Sequence, residues 1–130
     1  APQQGLQDLR RLAEDTAGAV PVTVSIDEAI GTVGSATESA LYRIARESIT
    51  NAVRHASGAT EISVAVAGLG DSISLTVCDD GITTPSNGVG YGLLGMAERA
   101  ELLGGSFDAG PGPDRGWQVA ATIPRTGGQS

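Results

Sequence analysis

Glu61–Cys78 reads EISVAVAGLGDSISLTVC. Ile62, Val64 and Val66 alternate with Ser63 and Ala65; Ile73, Leu75 and Val77 alternate with Ser74 and Thr76. A side-chain period of two is that of a strand with one buried face. Leu69-Gly70-Asp71 turns the chain between the two runs, so the stretch reads as a β-hairpin. Hairpin-joined strands are antiparallel, which separates this chain from a strict alternation of parallel strands and crossover helices.

Working outward, Leu6, Leu9 and Leu12 predict a short amphipathic helix over 5–16, and Val22, Val24 and Ile26 predict a strand within 20–26. Ser35-Ala36-Thr37-Glu38 has the spacing of a capping box and opens a helix expected to reach Ala56. Beyond the hairpin, 79–92 reads as a loop and 93–103 as a helix stopped by Gly104-Gly105. A short strand follows at 106–109, a turn at Pro111–Asp114 and a last strand at Trp117–Ile123. These elements predict an α+β fold: a two-layer sandwich whose mixed, mostly antiparallel sheet is covered on one face by helices.

The 130 residues suit one domain. With 40% hydrophobic and only 3% aromatic residues, its core must be aliphatic. All eight basic residues are arginine, which excludes the P-loop, because that motif needs a lysine to reach the phosphates. A net charge of −7 argues against a broad nucleic-acid surface but not against a nucleotide, whose phosphates a few N–H groups and one cation can neutralise. Cys78 is alone and forms no internal disulfide. No apolar run is long enough to span a membrane, and no signal peptide opens the chain, so a cytoplasmic fragment without membrane contact is expected.

Gly90-x-Gly92-x-x-Gly95 spells the dinucleotide fingerprint. It lies too far beyond the strand ending at Cys78 to be the tight turn of a βαβ unit. Two readings remain for it: a plain surface loop, or a loop feeding a helix N-terminus that attracts phosphate. On the long helix, LYRIARESITNAVRHA (41–56) carries an apolar stripe of Leu41, Ile44, Ala45, Ile49, Ala52, Val53 and Ala56. Arg43, Glu47, Asn51 and Arg54 fall within about 80° of one another around the axis, and His55 borders them. The face is either merely solvated or one where the oxygens of Glu47 and Asn51, one turn apart, converge on a hard cation or its water shell, with Arg54 placed for phosphate. Asp79-Asp80-Gly81, at a strand end, is either an acidic turn or a carboxylate that accepts from an exocyclic amine beside a glycine that leaves room for a flat base.

Taken in order, LYRIARESITNAVRHA, CDDG and GVGYGLLGMAERAELLGG resemble the ATP-binding catalytic domain of histidine kinases. That domain sits within the ATPase superfamily that includes gyrase, Hsp90 and MutL, and the likeness is nearest to sensor kinases of the nitrate-sensor type. The resemblance implies ATP and Mg²⁺ as ligands. It implies Glu47 as general base or polariser, Asn51 as metal ligand, and Arg54 and His55 near the phosphates. It implies Asp79 and Gly81 at adenine, and Gly88, Gly90, Gly92, Leu93 and Gly95 at the end of a lid over the triphosphate. It places the domain at 20–125, with 1–19 as a helix and connector from a dimerisation domain and 126–130 as a disordered tail. It implies transfer of the γ-phosphoryl to a histidine on that dimerisation domain, then to a response regulator with a helix-turn-helix output domain. The resemblance allows a membrane-anchored parent kinase, and a fragment without the phosphoacceptor is not expected to autophosphorylate alone. Two positions depart from the pattern: Thr83 stands where the family has a second glycine, and Trp117 where it has threonine after Gly116. Alternatives are an anti-sigma-type serine kinase and a non-catalytic, nucleotide-dependent interaction domain.

Overall fold

The computed structural model describes residues 5–16, 20–27, 30–55, 58–82, 93–112 and 116–126. A 3₁₀ turn at Leu6–Asp8 leads into α1 (Leu9–Thr16), then β1 (Val22–Ile26), α2 (Ser35–His55), β2 (Ile62–Leu69), β3 (Ser72–Asp79), α3 (Leu93–Leu102), β4 (Ser106–Pro111) and β5 (Trp117–Pro124). The five strands form one sheet in the order β1-β2-β3-β5-β4. β2 and β3 are the expected hairpin, in register from Leu69↔Ser72 to Ile62↔Asp79. Gly70 turns it at φ +61°, a conformation that costs a side-chain-bearing residue dearly. β1 pairs with β2 in parallel, and the crossover that a parallel pair requires is α2.

The period of two sorts the sheet into two faces. Ile62, Val64, Val66, Ile73, Leu75, Val77, Val119, Ala121 and Ile123 are buried. Ser63 and Ala65 of the opposite face are exposed, and Ser74, Thr76, Gln118 and Thr122 are only partly covered. All three helices contribute to the core on the buried face: Leu9 and Leu12 from α1, Leu41, Ile44 and Ile49 from α2, Met96 and Ala100 from α3. Leu6, ahead of α1, joins the same cluster. The core is aliphatic as composition requires, with Tyr42 as its buried aromatic among the described residues.

Two local expectations are corrected. Ser35–Glu38 forms no capping box. Gly34 precedes α2, and its carbonyl accepts from the Glu38 N–H at 2.9 Å. The Glu38 carboxylate instead accepts the Leu6 N–H at 2.9 Å, satisfying an orphan donor at the start of the other helical segment. Thr37 donates its hydroxyl to the Pro124 carbonyl at 2.8 Å. The apolar stripe of α2 also ends early, since Val53 is 43% exposed. Val53 lies on the same side of the helix as Ile49, roughly 40° round the axis. Its exposure therefore comes from its position along the helix, whose last turn runs past the packed layer. Ala56 lies outside the described residues.

Candidate functional site

The inward-facing side chains of β3 run Ile73, Leu75, Val77 and then Asp79. The strand's alternation thus drives a carboxylate into a side whose other buried residues on β2, β3 and β5 are aliphatic. Asp79 is 8% exposed. Its Oδ1 accepts the Gly81 N–H at 2.9 Å. Burial pushes its pKa above the usual carboxylate value; hydrogen bonds from the Gly81 and Trp117 N–H groups pull it down, and the neighbouring Asp80 charge pushes it up.

Asp80, one residue on, points to the other side and is fully engaged. It accepts the Thr60 N–H at 2.7 Å, the Glu61 N–H at 3.2 Å and the Thr60 hydroxyl. The Thr60 hydroxyl and N–H hold its pKa down to about 2. Asp80 therefore ties the start of β2 to the end of β3, while Asp79 keeps acceptor capacity on the inner side.

Gly116 closes this corner. Its φ is +87°, and a Cβ there would meet the Asp79 carbonyl oxygen at 1.9 Å. Both the dihedral and the contact require glycine, and the close approach sets Trp117 beside Asp79. Gly81 is buried next to them.

α2 reaches the same end of the sheet, because β2 begins with Ile62, the partner of Asp79, shortly after α2 ends. Glu47 and Asn51 are half-buried on α2, and Arg43 and Arg54 are exposed. The helix also carries His55, whose side chain lies outside the described part of the structure. Ser48, between Glu47 and Asn51, is buried and donates its hydroxyl to the Met96 sulfur at 3.5 Å. This contact lays the first turns of α3, which starts at Leu93, against the middle of α2.

Gly88, Gly90, Gly92 and Thr83 lie outside the described residues. Gly95 stands inside α3 with open space where a Cβ would go, so no packing in the fold demands it. It borders a groove of about 560 Å³ between α2 and α3 that Ala36, Ala40, Arg43 and Leu103 also line. Among the described residues, Gly95 and Arg43 of the sequence-derived candidates line that groove, and Glu47, Asn51, Arg54, Asp79 and Gly81 do not. The site candidates thus form two sets: Asp79 and Gly81 at the sheet end, and Glu47, Asn51 and Arg54 on α2 with α3 alongside.

Among the described residues, no group of three or more His, Cys, Asp or Glu could enclose a metal ion by itself. Glu47 and Asn51, half-buried one turn apart on α2, carry the carboxylate and amide oxygens that suit a hard cation otherwise held by phosphate and water oxygens. Cys78 belongs to the opposite sheet face. Burial and the Asp79 charge raise its thiol pKa, so it is a poor nucleophile. Sequence reasoning did not single out the roles of Thr60 and Gly116. A glycine directly before a strand is the signal that could have marked the latter.

Three comparisons bear on this geometry. Residues 36–127 match the family described as histidine kinase-, DNA gyrase B-, and HSP90-like ATPase. The sensor histidine kinase LnrJ of Bacillus subtilis is 38% identical over 120 residues, covering 89% of this chain and 29% of LnrJ. The nitrate/nitrite sensor protein NarX of Escherichia coli is 36% identical over 86 residues, 64% of this chain and 14% of NarX. The chain therefore spans under a third of the length of these relatives. The ATP binding domain of PrrB from Mycobacterium tuberculosis superposes with a TM-score of 0.73 at 23% identity, covering 94% of this chain and 95% of that domain. This last likeness is one of fold.

Proposed function

The chain belongs to the histidine kinase-, DNA gyrase B- and HSP90-like ATPase family, and we propose that it is the ATP-binding catalytic domain of a two-component sensor histidine kinase. In this reading it binds Mg-ATP and donates the γ-phosphoryl to a histidine on a separate dimerisation domain of the parent protein. That domain then passes the group to an aspartate of a response regulator with a helix-turn-helix output domain. The parent acts on the cytoplasmic side of the cell. Among the described residues no helix is long and apolar enough to cross a membrane.

The observation that carries the reading is Asp79: a buried carboxylate at a strand end, facing the helix layer, with acceptor capacity beyond the bond to Gly81. A purine amine is a donor that fits such an acceptor. Charge-assisted hydrogen bonds of this kind are worth about 1.5–3 kcal/mol.

In-line phosphoryl transfer asks for positioning and charge neutralisation more than for covalent chemistry. Asp79 and Gly81 orient the base. Asn51 would hold the cation through its side-chain oxygen, and a bound Mg²⁺ would supply neutralisation of phosphate charge. In this reading Arg54 and His55 neutralise phosphate charge. On the same reading Gly88, Gly90, Gly92, Leu93 and Gly95 serve as backbone N–H donors to the triphosphate. Glu47 takes or holds the proton of the attacking imidazole as its nitrogen bonds to the γ-phosphorus and the bond to the ADP oxygen breaks.

Calorimetry of ATP binding, with and without Mg²⁺, tests the assignment. Asp79→Asn should weaken binding by about 10- to 100-fold, and Asn51→Ala should chiefly remove the Mg²⁺ dependence. No ATP binding by the wild-type chain at millimolar concentration would contradict the reading.

A further inference from the structure

Among the described residues, the buried polar side chains are Thr37, Ser48 and Asp79. Thr37 gives its hydroxyl to the Pro124 carbonyl, and Asp79 belongs to the site proposed above. Ser48 has a weaker partner. It lies one turn from Ile44 and one turn from Ala52, within the side of α2 that packs on the core, and is 3% exposed. Its hydroxyl donates to the Met96 sulfur at 3.5 Å. A thioether is a weak acceptor, so the bond offsets little of the cost of burying a hydroxyl. Alanine is also favoured over serine inside a helix. Stability therefore does not account for a serine here.

Its position does. Ser48 stands between Glu47 and Asn51 on α2. Met96 is fully buried in the first turn of α3, directly after Gly95. A groove opens between these two helices at Ala36, Ala40 and Arg43 on one side and Gly95 and Leu103 on the other. The helices are thus not sealed along their length, and a hydrogen bond joins them at Ser48 and Met96. An unbranched, polarizable side chain such as methionine lets a contact of this kind shift and re-form.

Resting on the ATP-site reading, we propose that Ser48 is a positioning residue: its bond to Met96 sets the start of α3 against Glu47 and Asn51. It touches no nucleotide. It fixes the distance between the helix that would carry the cation ligand and the helix whose N-terminus would meet the phosphates. Its effect is then confined to the phosphate end of the nucleotide, and the base, held at the end of the sheet, is indifferent to it.

The experiment measures calorimetric affinities for Mg-ATP, Mg-ADP and adenosine. The proteins are the wild-type chain, Ser48→Ala, Met96→Leu and the double variant. Met96→Leu nearly conserves volume and removes the sulfur. Each single variant should lower Mg-ATP affinity by about two- to tenfold, the worth of one hydrogen bond. Mg-ADP affinity should fall less, and adenosine affinity should not change. The double variant should lose no more than the larger single loss, because both substitutions remove the same contact. Ser48→Ala should unfold thermally at or above the wild-type temperature.

An unchanged preference for Mg-ATP over Mg-ADP in both single variants overturns the role of Ser48 and leaves the ATP site standing. So does an adenosine loss as large as the Mg-ATP loss, or additive losses in the double variant, since a merely structural contact gives those results. A wild-type chain that binds none of the three ligands overturns both readings. If Met96→Leu fails to fold by circular dichroism, Ser48→Ala decides together with Ser48→Cys. The cysteine keeps a weak donor and should retain part of the preference for Mg-ATP; equal losses in the two overturn the proposal.

Discussion

The two ends of the sheet are built on opposite plans. At one end the chain closes on itself. The Arg125 guanidinium donates from Nε to the Gly70 carbonyl at 2.9 Å and from Nη1 to the carbonyls of Ile30 and Thr32. The Arg125 N–H bonds to the Asp71 carbonyl at 2.8 Å, and the Gly34 N–H to the Arg125 carbonyl at 2.6 Å. The start of α2, the hairpin turn and the end of β5 are thereby joined, with Thr37 on Pro124 adding a further tie. At the other end polar groups face inward instead. Asp79 carries a carboxylate into the apolar layer, Trp117 is incompletely covered, and α2 runs past its support at Val53. The long-range ties of Arg125 and Thr37 gather at the clasped end, and the proposed ligand site lies at the other. Binding regions are commonly drawn from the less stable part of a fold.

The contrast can be broken from either side. Arg125→Ala should cost the fold most among the variants at these two ends. It removes a cation shared among three carbonyls, and we expect a loss of about 2 kcal/mol, read by denaturant unfolding. ATP affinity should not change. A variant with weakened ATP binding at full occupancy of the folded state would show that the two ends are coupled.

Gly95→Ala sharpens the contrast at α3. The added methyl enters open space, and alanine is favoured over glycine inside a helix by about 1 kcal/mol. Thermal unfolding should therefore shift upward. If the backbone at Gly95 approaches phosphate, ATP affinity should fall in the same variant. A gain in stability with unchanged affinity would remove Gly95 from the site.

The two neighbouring aspartates predict opposite pH behaviour. Asp80 has a folded pKa of about 2, below its unfolded value. Its contribution is present above the ordinary carboxylate pKa and is lost as pH falls toward about 2. Thr60→Val, which removes the hydroxyl donor, should narrow that acid-labile window. Asp79 has a raised pKa, so folding with it ionised is disfavoured. Its cost grows as pH rises from the ordinary carboxylate value through its folded pKa. Asp79→Asn should leave the ligand-free domain as stable as the wild type or slightly more so at neutral pH. Thermal unfolding of the two variants between pH 3 and 8 separates these signs.

Much of this was legible in the chain itself. The alternation around Gly70 identified the hairpin, and the i, i+3, i+4 spacing identified α2, because both are local consequences of which face is buried. Strand parity also contains the answer to which aspartate turns inward, since 73, 75 and 77 lead to 79. It likewise places Trp117 in line with 119, 121 and 123. Long-range pairing was not legible. Arg125 reaches carbonyls 55 and 95 residues away, and no local pattern in a Pro-Arg-Thr tail announces that. Glu38 reads as the partner of Ser35 because the spacing fits, yet tertiary packing offers it the Leu6 N–H instead. α2 ends at His55, close to the expected Ala56, but Val53 is exposed although it reads as part of the apolar stripe, because periodicity tells which side of a helix is apolar, not how far the opposing layer extends.

Amide hydrogen exchange with and without Mg-ATP tests the division between the two ends most directly. The account predicts nucleotide-dependent protection at 79–82, 93–96 and the last turns of α2. Amides at 30–37, 70–72 and 123–125 should be slow in both states and change little. Protection that appears first at the Arg125 end, or no change anywhere at saturating ATP, would contradict it.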